Sequence, residues 1–156
     1  STVISYSATI SACAKGESWE WAMRLFEEMQ QRGLEANVVS YNAAISACRR
    51  PGLWGLAWRM LREMLALGMQ ADVISYCSVI SACEKSAQWQ NALALFRAVP
   101  GLRLVPDVTT CNSAVSACEK GAQWQFALAL FHAMPTMRLA PNRITCNAAI
   151  SACEKG

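Results

Sequence analysis

The chain has 156 residues, of which 54% are hydrophobic and 16% charged, with a net charge of +3. That mild positive balance tolerates a nucleic-acid partner without demanding one. The longest apolar stretch, Leu53 to Met69, is broken by Arg59, Arg62 and Glu63, which excludes a membrane-spanning helix there.

One pattern outranks every local signal. The tetrapeptide Ile/Val-Ser-Ala-Cys is written five times, ending at Cys13, Cys48, Cys83, Cys118 and Cys153, a constant step of 35 residues. Trp19, Trp54, Trp89 and Trp124 keep the same step, and so do Ala22, Ala57, Ala92 and Ala127. A fixed period in this range marks a solenoid, in which each unit packs mainly on its neighbours. Four full units are expected at 3–37, 38–72, 73–107 and 108–142, with the first half of a fifth at 143–156. The absence of an initial Met and the half unit lead us to expect both ends to be cut from a longer array.

Along the chain, each unit opens with Ser5, Ser40, Ser75, Thr110 or Thr145 at its third place. These hydroxyls are expected to cap the N-terminus of a first helix. Tyr6, Ile10 and Cys13 then form an inner face at helical spacing, repeated by Tyr41, Ile45 and Cys48. Stops are expected at Lys15-Gly16, Pro51-Gly52 and Lys120-Gly121. A second helix starts at each Trp of the 35-residue series. In the third unit Trp89, Ala92, Leu93, Phe96 and Val99 make an amphipathic stripe. The Trp residues are expected to pack in the core, and the small Ala to let helices approach closely. These second helices are expected to end at Gly33, Gly68, Pro100 and Pro135. The fold class is therefore all-α: an α-solenoid of stacked helical hairpins. The final, half-covered helix is expected to present a sticky apolar face.

Eight cysteines invite a disulfide or zinc reading. Equivalent points on stacked helices lie roughly 8–10 Å apart, beyond the ~4.4–6.8 Å between α-carbons that a disulfide requires. Cys111 and Cys118, like Cys146 and Cys153, are separated by about 10.5 Å of helical rise, too far to share one tetrahedral zinc. The thiols are expected to be small core residues in a reducing compartment. No catalytic grouping of His, Cys and Asp occurs, so the segment is expected not to be an enzyme and to need no metal or cofactor.

Val38-Val39-Ser40-Tyr41-Asn42, Ala57 to Met64 and Gly68-Met69-Gln70-Ala71-Asp72, at a 35-residue period, resemble the pentatricopeptide repeat. Val105-Pro106-Asp107 and Ala140-Pro141-Asn142 carry the motif's Pro, which Ala36 and Ala71 replace in the first two units. The resemblance covers the whole chain. It implies winding of the stacked hairpins as a right-handed superhelix, and binding of single-stranded RNA in mitochondria or chloroplasts, one base per unit, alongside RNA-processing proteins and without a membrane or small-molecule substrate. The implied base-reading residues are the fifth and last of each unit: Ser7 with Asn37, Asn42 with Asp72, Cys77 with Asp107, Asn112 with Asn142, and Asn147 in the half unit. Ile4, Val39, Ile74, Thr109 and Ile144 would pack against bases. Lys15, Arg50, Lys85, Lys120 and Lys155 would meet phosphates. The implied target is 5′-A-U-(G/U)-(C/U)-3′.

Blander roles stand beside each of these. The last residues could simply make turns, the second residues could be hydrophobic staples, and the cations could neutralise helix C-termini. A protein-binding scaffold is the alternative function, with a purely structural spacer behind it.

Overall fold

The computed structural model describes residues 2–16, 18–50, 52–101 and 104–155, and for Pro100 and Gly101 the backbone only. The described regular structure is helical: α1 Val3–Lys15, α2 Trp19–Gln31, α3 Val38–Ala47, α4 Trp54–Ala66, α5 Val73–Lys85, α6 Trp89–Gly101, α7 Val108–Lys120, α8 Trp124–Ala133 and α9 Arg143–Lys155. They alternate as the first and second limbs of hairpins. The chain divides into two compact units, residues 1–79 and 80–156, with α5 running through the boundary.

In the first unit, α1 packs on α2 and α3, and α3 packs on α4. Ile10, Met29, Tyr41, Ile45 and Met64 are fully buried there. Each such side chain contributes about 1.5–3 kcal/mol through removal from water. Tyr6 and Tyr41 donate their hydroxyls to Glu28 and Glu63 on the opposing limb, both at 3.0 Å. In the second unit α7 packs on α6, α8 and α9 around Ile80, Val99 and Val115. The periodic alanines Ala22, Ala57, Ala92 and Ala127 are all completely buried, so small side chains do sit where helices meet.

Several expectations change. The third-place hydroxyls do not cap the first helices. The cap is the last residue of the preceding unit, and Ser40, Ser75, Thr110 and Thr145 sit inside the first turn as its partner. The residue three places ahead has extended backbone and so presents its side-chain oxygen to the third backbone N–H, as Thr2 also does for α1. The second residues accordingly fall inside the helix and not before its cap, so they are not staples.

α3 stops at Ala47, with Cys48 as its C-cap. The residue before a proline is driven out of helical backbone, and Arg50 precedes Pro51, which itself lies outside the described residues. α6 continues through Pro100 to Gly101. Proline's fixed φ suits a helix, and in the last turn its missing N–H removes only one bond. α8 ends at Ala133 and passes into a 3₁₀ turn, Met134–Met137, that contains Pro135.

The cysteines divide: Cys48, Cys83, Cys111 and Cys118 are buried, Cys13, Cys77 and Cys146 half-buried, and Cys153 exposed. Trp19, Trp54 and Trp89 are half-buried and Trp124 is exposed. Ile150 on α9 is 59% exposed, whereas its counterpart Ile80 is completely buried.

Candidate nucleic-acid interface

The candidate site residues gather at the N-terminal ends of the first-limb helices. Four orphan N–H groups at each such end need acceptors, and the preceding unit's last side chain supplies one. Asn37 Oδ1 accepts from Ser40 N at 2.9 Å, Asp72 Oδ1 from Ser75 N at 3.0 Å, Asp107 Oδ1 from Thr110 N at 2.8 Å, and Asn142 Oδ1 from Thr145 N at 3.1 Å. The hydroxyls of Ser40, Ser75 and Thr145 accept in return from the backbone N–H of Asn37, Asp72 and Asn142. This reciprocal arrangement is a capping box.

Capping draws in the fifth residue of the same unit. Asn42 Nδ2 donates to Asp72 at 3.2 Å (Oδ1) and 3.4 Å (Oδ2), and its Oδ1 accepts from the Ser75 hydroxyl. Asn112 Nδ2 donates to Asn142 Oδ1 at 3.2 Å, and its Oδ1 accepts from the Thr145 hydroxyl. Ser7 is buried and reaches Asn37 only through Ser40, whose hydroxyl lies 2.8 Å from its own. Cys77 is half-buried, Asp107 exposed and engaged by Thr110, and Asn147 exposed. After capping, each last residue keeps one polar atom: Nδ2 in Asn37 and Asn142, Oδ2 in Asp107, and in Asp72 an Oδ2 that already accepts from Asn42 Nδ2 and retains a lone pair. An amide nitrogen can only donate and a carboxylate oxygen can only accept.

The second-place residues stand open to solvent. Ile4 is 79% exposed, Val39 63%, and Ile74 and Ile144 62% each. Thr109 is exposed as well. Four large aliphatic side chains at one register, left in water beside a polar pair, form sites suited to a flat apolar partner.

The lysines of the cation row end α1, α5, α7 and α9, whereas Arg50 lies beyond the end of α3. Eight helical residues separate a fifth place from a thirteenth, roughly 12 Å of rise. Lys15 and Lys85 carry no ion pair among the described residues. Lys120 Nζ lies 2.6 Å from Glu84 Oε1, and Lys155 Nζ 2.5 Å from Glu119 Oε1. Ser116 and Ser151 donate to the same carboxylates at 2.9 and 2.7 Å. These bonds hold the Glu119 carboxyl below its usual range, chiefly through Lys155 and then Ser151.

Two sets of residues were missed by sequence reasoning. The bridging role of Ser40, Ser75 and Thr145 had a signal in their strict 35-residue step, which was read as capping alone. Glu84 and Glu119, which carry no signal in the sequence beyond their place next to the lysines, are acceptors between neighbouring units. The described residues hold no cluster of three or more His, Cys, Asp or Glu fit for a metal. Burial pushes the thiols of Cys48, Cys83 and Cys118 up to about 11 and that of Cys111 to about 12, so they stay protonated and poorly nucleophilic.

A model of the PPR repeat family matches residues 1–50 and 36–85, a pentatricopeptide repeat domain model matches 94–155, and a PPR repeat model matches 74–101. No curated protein matches the chain. Among solved structures, the pentatricopeptide repeat protein PPR10 in complex with an 18-nt psaJ RNA element superposes with a TM-score of 0.84 at 25% identity, over 97% of this chain and 22% of that one. PPR10 from maize, in a further crystal structure, gives 0.70 at 26% identity over 96% and 21%. The PPR domain of Arabidopsis thaliana protein-only RNase P 1, in complex with tRNA, gives 0.84 at 12% identity over 94% and 78%, a likeness of fold. The chain thus spans about a fifth of the length of PPR10.

Proposed function

The chain belongs to the pentatricopeptide repeat family, and from that membership we propose that it is a sequence-selective adaptor for single-stranded RNA, reading one base per 35-residue unit. The observation that carries this reading is the recurrent pairing of a fifth and a last residue beside an exposed aliphatic side chain. The RNA held by PPR10, whose structure this chain resembles along nearly its whole length, lends it support.

The chemistry of each pair suggests a base. Asn42 shares one amide N–H between the two oxygens of Asp72 and has the other to give, and Asp72 Oδ2 retains a lone pair as an acceptor. Uracil offers a carbonyl oxygen next to a ring N–H, which complements that edge. Asn112 and Asn142 together offer two donors, suited to the ring nitrogen and carbonyl oxygen of cytosine, with the oxygens of uracil tolerated. In the first unit Ser7 is buried, so Asn37 Nδ2 is the donor available to the ring nitrogen of adenine. Asp107 offers an acceptor to the ring N–H of guanine or uracil, and the Cys77 thiol adds little. The target is 5′-A-U-(G/U)-(C/U)-3′. Ile4, Val39, Ile74, Thr109 and Ile144 pack against the bases, and Lys15, Arg50, Lys85, Lys120 and Lys155 meet the phosphates. The segment positions RNA in a mitochondrion or chloroplast for stabilisation, splicing, cleavage or editing by other parts or partners, and is not itself catalytic.

Fluorescence anisotropy with a ten-nucleotide RNA containing AUGC, against a scrambled control, tests this. Each read base is expected to add about 1–3 kcal/mol of discrimination. Asp72→Asn should move the preference at the second nucleotide from uracil toward cytosine, because an acceptor becomes a donor. Equal affinity for both RNAs at moderate salt, or no change in preference with Asp72→Asn, refutes the reading.

A further inference from the structure

Capping does not account for everything the third-place hydroxyls do. A capping box needs the last residue's side chain on the third N–H and the hydroxyl on the cap's own N–H. Ser40, Ser75 and Thr145 do this, and each also touches the fifth residue of the preceding unit: Ser7 Oγ, Asn42 Oδ1 and Asn112 Oδ1 respectively. All three are completely buried. A buried hydroxyl holding a third partner fixes that partner's orientation at little entropic cost.

Orientation matters because a primary amide is nearly symmetric in shape and opposite in chemistry at its two ends. Rotating Asn112 by half a turn exchanges the N–H it can give for an oxygen, and so reverses what a base must offer. Two neighbours hold the amide. The hydroxyl takes the oxygen end and the last residue takes the nitrogen end. In the second unit Asp72 presents only acceptors, so it rejects a reversed Asn42 unaided. In the fourth unit Asn142 carries an N–H as well as its capping oxygen, so a reversed Asn112 finds a donor there. The hydroxyl is then the stricter lock.

Resting on the RNA-reading assignment above, we infer that Thr145, and to a smaller degree Ser75, is a specificity-determining positioning residue: its buried hydroxyl locks the amide of the preceding unit's fifth residue so that only the nitrogen end faces a base. The unit that reads a nucleotide therefore extends three residues into its successor.

The test uses the full chain with ten-nucleotide RNAs carrying AUGN within an adenine tract, N being each base in turn. Thr145→Val keeps the side chain's shape and deletes the hydroxyl. The wild-type preference for cytosine at N, expected to be about tenfold, should fall to within about threefold. The preference for uracil at the second nucleotide should hold, and Thr145→Ser should restore the wild-type ratio. Ser75→Ala should weaken the second-nucleotide preference less, and it keeps the comparison open if Thr145→Val folds poorly. Without RNA, the Asn112 side-chain NH2 order parameter measured by NMR should drop in Thr145→Val and recover in Thr145→Ser. A Thr145→Val protein that keeps its cytosine ratio, or loses affinity equally for all four bases, overturns the inference. A wild-type protein with no preference at any position refutes the RNA reading itself, and this inference with it.

Discussion

Asn37 holds two jobs on two atoms of one amide. Its oxygen closes the first turn of α3, and its nitrogen remains for an outside acceptor. The two jobs separate by substitution. Asn37→Ala removes both, and should cost about 1 kcal/mol of stability in urea unfolding together with selectivity at the first nucleotide. Asn37→Asp keeps a capping oxygen and exchanges the donor for an acceptor. Its stability should stay near wild type while the preference for adenine is lost. Equal losses of stability in the two variants would show that Asn37 does not cap through its oxygen. The turn reading and the base-reading of the last residues are thus compatible, because they use different atoms.

At the scale of the hairpin, the turns between limbs set how closely two helices meet. Gly52 (φ 85°), Ala87 (56°) and Ala122 (55°) occupy the same place in successive turns, all in left-handed backbone. An alanine there costs about 1–2 kcal/mol, of which glycine's greater unfolded freedom takes back 0.5–1 kcal/mol. Ala122→Gly should therefore stabilise the protein by up to about 1 kcal/mol. The neighbouring Gly121 has ordinary φ and is needed for a different reason. A methyl group built on it would lie 2.2 Å from Cδ1 of Trp89 and 2.6 Å from Cγ. Gly121→Ala must displace the indole, and should cost about 1–3 kcal/mol. Thermal melts of the two single variants should move in opposite directions. A stable Gly121→Ala protein would mean that the indole repacks freely.

For the molecule as a whole, the relevant quantity is how much of its positive charge is available to a polyanion. Five phosphate contacts would give a log–log salt slope of roughly −3.5 on single strands. Lys120 and Lys155 are held by Glu84 and Glu119, carboxylates only 15% and 14% exposed. Until those pairs break, the slope should be shallower by roughly 1.4. Changing Glu84 and Glu119 to Gln should steepen the slope toward the full value and tighten RNA binding at low salt, with base preference unchanged. An unaltered slope in that double variant would show that the two lysines do not reach phosphate.

The sequence alone determined the hairpins and their order, since a 35-residue period in Ile, Cys, Trp and Ala can be satisfied only by a unit that buries the same face each time. Helix starts at each Trp and the burial of Ile45 and Ala92 follow from that period, whereas the pairing of Asn42 with Asp72 was implied by the family resemblance. Tertiary structure decided the rest. Which of two polar residues three places apart caps a helix depends on which one has extended backbone, and that is set by how the preceding hairpin ends. Whether Lys120 faces solvent or a carboxylate depends on a neighbour one full unit away in sequence. The Ser75 bridge to Asn42 joins residues 33 positions apart, and only stacking one first-limb helix on the next brings the hydroxyl within reach of the amide.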